Sequence, residues 1–166
     1  MAEDTAVDAA LARARAAQRA WRGVALAERA QLCAAVVDAM LAMREEIVPE
    51  LAWQMGRPVR FGAGELRGFE ERARFMIGIA AEALAPAEPE PKAQFRRLIR
   101  REPLGLVLVV APWNYPYLTA VNSVIPALMS GNAVLLKHAA QTLLVGERFQ
   151  AACDRAGLPA ARMRAV

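Results

Sequence analysis

Histidine, cysteine and lysine are scarce in this chain, and each scarcity removes a class of function. The 166 residues contain one histidine, His138, and two cysteines, Cys33 and Cys153. That is too few for a disulfide framework, and no Cys/His spacing of a metal site is present. No stretch is long enough to cross a membrane without charges. The start, Met1-Ala2-Glu3-Asp4, is acidic and lacks a signal-peptide layout. Free thiols and no leader predict a reducing compartment, the cytoplasm. Lysine occurs only at Lys92 and Lys137, so the formal charge of +4 is carried almost wholly by arginine. Arg96-Arg97 and Arg100-Arg101 form a basic cluster without interleaved aromatics or the pattern of a nucleic-acid-binding fold. A solvated, partner-facing edge is the better reading. Neither nucleic acid nor membrane is expected as a partner.

What the chain does have is apolar residues, 56% against 23% charged, enough for one packed domain with a real core. Residues 1–84 read as a helical part. Helices are predicted over 7–21, over 26–43 with Leu32, Val36, Met40 and Met43 near one face, and over 45–55 with Gly56 as the stop. A longer helix over 61–84 offers Phe69, Phe75, Met76 and Ile79 to the core. Gly62-Ala63-Gly64-Glu65-Leu66-Arg67-Gly68 looks like a dinucleotide fingerprint, but it follows no strand and has one residue too many before the last glycine. It reads as a helix start. Residues 85–101 read as a proline-rich connector, 85–91, and an edge strand, 95–101.

Residues 102–166 read as a partial dinucleotide-binding βαβ unit. The run 104–110 is apolar and β-branched and predicts a strand buried on both faces. Pro112 stops it. A helix over 115–129 follows, with Pro116 in its first turn and Gly131-Asn132 as its stop. Next come a buried strand over 132–137, a helix over 141–156, and the start of a third strand at 163–166. The fold class is therefore α/β: N-terminal helices followed by an incomplete parallel, Rossmann-like βαβ unit. Asn114 lies where a strand hands over to a helix, the edge at which open α/β sheets bind ligands. A neutral carboxamide there can donate a hydrogen bond to developing negative charge without titrating. The competing reading is an asparagine that caps the next helix.

The motifs Arg101-Glu102-Pro103-Leu104-Gly105, Ala111-Pro112-Trp113-Asn114-Tyr115-Pro116, Pro126-Ala127-Leu128 with Ser130-Gly131-Asn132-Ala133-Val134, Leu136-Lys137 with Gln141-Thr142, and Ala156-Gly157-Leu158-Pro159 follow one another. In that order and spacing the chain resembles the aldehyde dehydrogenase superfamily, in detail over 100–159 and in layout over 11–166. Leu51-Ala52-Trp53-Gln54-Met55-Gly56-Arg57-Pro58 is similar to the family's segment ending in a Gly-Lys/Arg-Pro turn. The resemblance implies oxidation of a small-molecule aldehyde to a carboxylic acid with NAD or NADP as cofactor. In the family a cysteine thiolate attacks the carbonyl, and a backbone N–H and an asparagine carboxamide hold the oxyanion. Hydride leaves to the nicotinamide, and a glutamate activates the water that hydrolyses the thioester. The matching asparagine is Asn114, the expected catalytic residue. Ala111, Pro112, Trp113 and Asn114 are expected to line the cofactor and substrate channel, with plain core the other reading of Trp113. Lys137 is expected to donate to the adenosine ribose hydroxyls, against a solvated strand-end charge. Tyr115, Tyr117 and Leu118 are candidates for one wall of the substrate site. The resemblance also implies a homo-oligomer at full length, with 95–101 corresponding to the family's oligomerisation hairpin.

The chain departs from the family at two levels. Where many members carry Lys-Pro-Ser-Glu, it has Lys137-His138-Ala139-Ala140. Ala140 removes the carboxylate that meets the ribose 2′-hydroxyl, so reduced discrimination against NADP is predicted. His138 is a candidate for helping to bind the 2′-phosphate. The family's chain is also far longer, and its cysteine nucleophile, glutamate base and Gly-rich phosphate turn have no counterpart here. Cys153 shares a helix face with Phe149 and Ala156 and reads as a buried apolar thiol. The expectation is an N-terminal fragment of an NAD(P)-dependent aldehyde dehydrogenase, inactive alone and poorly stable, with an exposed sheet edge. The alternative is a truncated, non-catalytic dinucleotide-binding or subunit-interaction module.

Overall fold

A computed structural model describes residues 4–158 and 163–165 of the chain. The helices are α1 (Asp4–Trp21), α2 (Leu26–Ala42), α3 (Arg44–Met55), α4 (Val59–Leu84), α5 (Pro116–Met129) and α6 (Leu143–Arg155). The strands are β1 (Leu106–Val110), β2 (Ala133–Lys137) and β3 (Met163–Ala165), and a 3₁₀ turn (Ala140–Thr142) leads into α6. These boundaries follow from local chemistry. Gly56 ends α3 in the left-handed conformation (φ 71°), where glycine carries no Cβ penalty, and its N–H bonds to the Ala52 carbonyl at 2.9 Å. Pro116 opens α5, where its missing N–H costs nothing.

The strands form one parallel sheet in the order β1-β2-β3, pairing Val107 with Val134, Val109 with Leu136, and Val134 with Met163. The α/β class and the βαβ unit are as expected. One face carries Val109, Val134 and Leu136, buried in a single core with α5, α6, α2 and α4. The centre of that core is aromatic: Phe149 meets Phe69 edge-on at 5.8 Å and stacks on Tyr117 at 6.0 Å. The other face, with Leu106, Leu108 and Leu135, lies under α1 across a recess of about 790 Å³. α1 also clamps the end of α5. Trp21 Nε1 donates to the Leu128 carbonyl at 2.9 Å, and Gln18 Nε2 to the Gly131 carbonyl at 3.1 Å. Asn132, read as a helix stop, joins three elements: its Oδ1 accepts the Gly105 N–H at 2.9 Å and its Nδ2 donates to the Ala127 carbonyl at 3.1 Å.

Three expectations are corrected. The first strand is not buried on both faces, since Leu104 is 89% exposed, Leu108 61% and Val110 68%. β1 is an edge strand, and the α1 side covers its outer face only in part. Residues 95–101 form no strand. Only isolated antiparallel bridges occur there, Ala87 with Ile99 and Lys92 with Phe95. A two-stranded ribbon with every residue of 91–102 exposed has no face to bury, and without one it does not extend. Phe75 and Ile79 of α4 are exposed rather than core, because the buried stripe runs through Gly62, Glu65, Leu66, Phe69 and Ala73. Readings placed on Met1-Ala2-Glu3, Pro159 and Val166 lie outside the described residues.

Two glycines of α4 should respond oppositely to alanine. A Cβ on Gly62 would lie 2.9 Å from Val48 Cγ1 and 3.4 Å from Val48 Cα, whereas one on Gly78 meets nothing within 4 Å. Gly78→Ala should stabilise by about 1 kcal/mol through helix propensity. Gly62→Ala should lose more than that gain, because overpacking against a stiff β-branched side chain costs about 1–3 kcal/mol. Denaturant midpoints of the two variants check the sign of each.

Candidate functional site

Residues 111–115 connect β1 to α5 at the carboxyl edge of the sheet. Ala111 is buried and its N–H bonds to the Lys137 carbonyl at 3.0 Å, which ties the end of β1 to the end of β2. Pro112, Trp113, Asn114 and Tyr115 are exposed. The turn is held by Thr119, whose hydroxyl donates to the Asn114 carbonyl at 2.8 Å and also to the Tyr115 carbonyl. Asn114 does not cap α5, so the competing reading of this residue fails. The cap position belongs to Tyr115, and no side chain of the turn bonds the helix amides. Among the described residues the Asn114 carboxamide has no hydrogen-bond partner.

Tyr115 has φ 47° and ψ 57°. A bulky side chain in this left-handed region costs about 1–3 kcal/mol and persists only where its surroundings hold it. Those surroundings come from the turn after α3 and from α4. Glu65, 2% exposed, accepts the Tyr117 N–H on Oε1 at 2.9 Å. Arg57 Nη1 lies 2.7 Å from Glu65 Oε2, an ion pair without the alignment of a hydrogen bond. The Arg57 guanidinium also sits 4.4 Å over the centre of the Tyr115 ring. Burial raises the Glu65 carboxyl above its ordinary value, and the Tyr117 amide, Arg57 and the Leu118 amide pull it back down. Arg57, Glu65 and Tyr115 line a cleft of about 510 Å³ with Met55, Pro58, Phe61 and Gly64. The larger recess under α1 touches none of the predicted site residues.

Sequence reasoning missed Glu65 because it lies within the glycine-bearing stretch dismissed as a false fingerprint. A signal was present. Gly62, Glu65, Leu66, Phe69 and Ala73 fall at helical spacing on one face, and an acid on an apolar face needs a partner. Of the proposed substrate wall, Tyr115 is half exposed and Leu118 half buried. Tyr117 is fully buried in the aromatic core, which corrects its place on that wall.

Lys137 ends β2 on the same carboxyl edge, paired in register with Val110 and exposed. Ala140 is exposed at the start of the 3₁₀ turn. His138 turns inward instead, 3% exposed, with Nδ1 3.3 Å from Thr142 Oγ1. Burial, helped by the charge of Lys137, pushes its pKa down to about 4. The ring is thus turned away from the exposed edge that carries Lys137 and Ala140. Both cysteines are buried and free. Burial pushes the Cys33 thiol up to about 12, and Cys153 is raised in the same direction by burial first and then by Cys33 and Asp154. Neither is a thiolate at neutral pH. Among the described residues no cluster of three His, Cys, Asp or Glu side chains forms a metal site, and no helix is long and apolar enough to cross a membrane.

The buried imidazole gives a pH prediction. Its pKa is about 4 when folded against 6.5 for the free group. A depressed value means that its contribution to stability is present above pH 6.5 and is lost as pH falls towards 4. Urea midpoints should fall across that window, and His138→Leu should reduce the slope.

The family model described as "Aldehyde dehydrogenase family" matches residues 1–166. The NADP-dependent glyceraldehyde-3-phosphate dehydrogenase of Streptococcus equinus is 33% identical over 159 residues, covering 93% of this chain and 33% of its own length. A succinate-semialdehyde dehydrogenase [NADP(+)] of Mycobacterium avium is 37% identical over 141 residues, 83% of this chain and 30% of that protein. Among solved structures, an NAD-dependent aldehyde dehydrogenase from Sinorhizobium meliloti superimposes with TM-score 0.91 at 30% identity, covering 99% of this chain and 33% of that one. This chain spans about a third of the length of the relatives it matches.

Proposed function

The chain belongs to the aldehyde dehydrogenase family, and on that premise we propose that it supplies the cofactor edge and the oxyanion donor for NAD(P)-dependent oxidation of an aldehyde to a carboxylic acid. The observation that carries this reading is the Asn114 carboxamide: exposed, unpartnered among the described residues, and set at the carboxyl edge of a parallel sheet. Its N–H can donate to the substrate oxygen as that oxygen takes up charge. A neutral donor there does not titrate during the reaction. The bound dinucleotide supplies the hydride acceptor. Lys137, exposed at the end of β2, would donate to its ribose hydroxyls, and Ala111, Pro112 and Trp113 would form the adjacent wall. Ala140 presents no carboxylate to the 2′ position, so NADP is admitted beside NAD. Several relatives are NADP-dependent enzymes by name, which supports the same reading.

The reaction also needs a thiolate and a general base. Buried Cys33 and Cys153 do not fill the first role. The 166-residue chain alone is therefore expected to release no reduced nicotinamide from any aldehyde. In an active enzyme that carries this chain, Asn114→Ala should lower kcat about a hundredfold or more with KM little changed. An unchanged kcat sinks the oxyanion role. Ala140→Glu should weaken NADP binding about tenfold or more while sparing NAD, because the new carboxylate meets the 2′-phosphate as a like charge. Calorimetric titration with each dinucleotide measures this, and equal loss of both refutes it.

A further inference from the structure

We propose that Glu65 is a positioning residue: its buried carboxylate joins the start of α5 to Arg57, and through Arg57 holds Tyr115 in its left-handed turn and so aims the Asn114 carboxamide. The proposal rests on the oxyanion reading of Asn114. The two oxygens of Glu65 have different tasks. Oε1 accepts the Tyr117 N–H at 2.9 Å, which fixes the first turn of α5. Oε2 lies 2.7 Å from Arg57 Nη1. A neutral acceptor such as glutamine would satisfy the helix amide equally well, but it would not hold a guanidinium by charge. Arg57 is held from below by Glu65 and meets Tyr115 above, 4.4 Å from its ring. Gly56, left-handed at the end of α3, delivers Arg57 to that place. Tyr115 is adjacent to Asn114 in the chain, and its φ of 47° determines how the chain leaves Asn114 for α5.

Glycine, asparagine and aspartate are the residues that adopt such a φ readily. A tyrosine there needs something to hold it, and the Arg57 stack provides that hold. Glu65, 2% exposed, has both oxygens committed to the Tyr117 amide and Arg57, so its effect on reaction passes through the turn. The Gly56-Arg57-Pro58 turn thereby gains a role in the site although 57 residues separate Arg57 from Asn114 in numbering.

The test uses Glu65→Gln, which keeps the shape and one acceptor, and Arg57→Met, which leaves the Glu65–α5 bond in place. On the 166-residue chain, the three-bond coupling between the Tyr115 amide proton and its own carbonyl carbon distinguishes positive from negative φ by NMR. In the active enzyme, kcat and KM are read separately. Both variants are expected to shift the Tyr115 coupling away from its left-handed value. Both should lower kcat about ten- to a hundredfold with KM within about twofold, as expected when a donor is misaimed but binding is kept. If Glu65→Gln does not fold, Arg57→Met carries the same test. Variants that lower the melting temperature but leave the Tyr115 coupling and kcat unchanged make Glu65 a plain helix cap and overturn the proposal. If Asn114→Ala leaves kcat intact while the coupling still shifts in both variants, the oxyanion reading falls and the hold on the turn stands.

Discussion

The described structure depends on how the two ends of α5 are satisfied. A helix leaves four amides free at its start and four carbonyls at its end. α5 lies between the sheet and α4, too deep for water to serve them all. At its start, Glu65 reaches across from α4 to take the Tyr117 amide. Its negative charge lies at the positive end of the helix dipole, which is favourable. At its end, Trp21 and Gln18 of α1 take the Leu128 and Gly131 carbonyls. One helix is thus held by elements 52 residues away at one end and 107 and 113 at the other. Burying an acid for this purpose is costly unless it is paired, and the Arg57 ion pair supplies the pairing.

This arrangement explains why the carboxyl edge is open while the interior is closed. The parallel strands β1 and β2 end together, with Ala111 bonded to Lys137, so the turn after β1 and the turn after β2 face the same side. Behind them Phe149, Tyr117 and Phe69 close the core. A second ion-pair group reinforces it from the side: Arg148 of α6 pairs with Glu46 and Glu50 of α3, and Gln54 accepts the Leu144 N–H at 2.9 Å. These contacts hold the start of α6 beside His138 and Lys137. The apolar outer face of β1 lacks comparable cover, as Leu104, Leu108 and Val110 show.

Much of this was legible in the sequence where the signal is local. The order strand-turn-helix-strand-helix over 104–156 follows from apolar runs punctuated by Pro112, Pro116, Gly131 and Gly157, and the boundaries agree within a few residues. Asn114 stood out because it lies in the turn that follows an apolar, strand-like run. What could not be read depends on partners distant in the chain. Nothing near Glu65 in sequence says that it serves Tyr117. His138 beside Lys137 looks like part of a charged edge, yet alternation along the chain turns one outward and the other in. The one-sided burial of β1 was hidden because an apolar run does not reveal how much of each face is covered. The ribbon around 95–101 has strand-like composition but no neighbouring face, and composition alone cannot supply one.

The division of labour at the turn follows from the same accounting of donors. An asparagine at a strand-to-helix junction ordinarily turns its side chain to the helix amides, because they need an acceptor and it is the nearest one. Here Glu65 accepts from Tyr117 out of the core, and Thr119 holds the Asn114 and Tyr115 carbonyls from within α5. The Tyr117 amide is thus served without Asn114, whose carboxamide has no partner among the described residues. Asn114 and the Glu65 carboxylate, 49 residues apart, meet at one helix start, where Glu65 takes an amide that a capping asparagine would otherwise take.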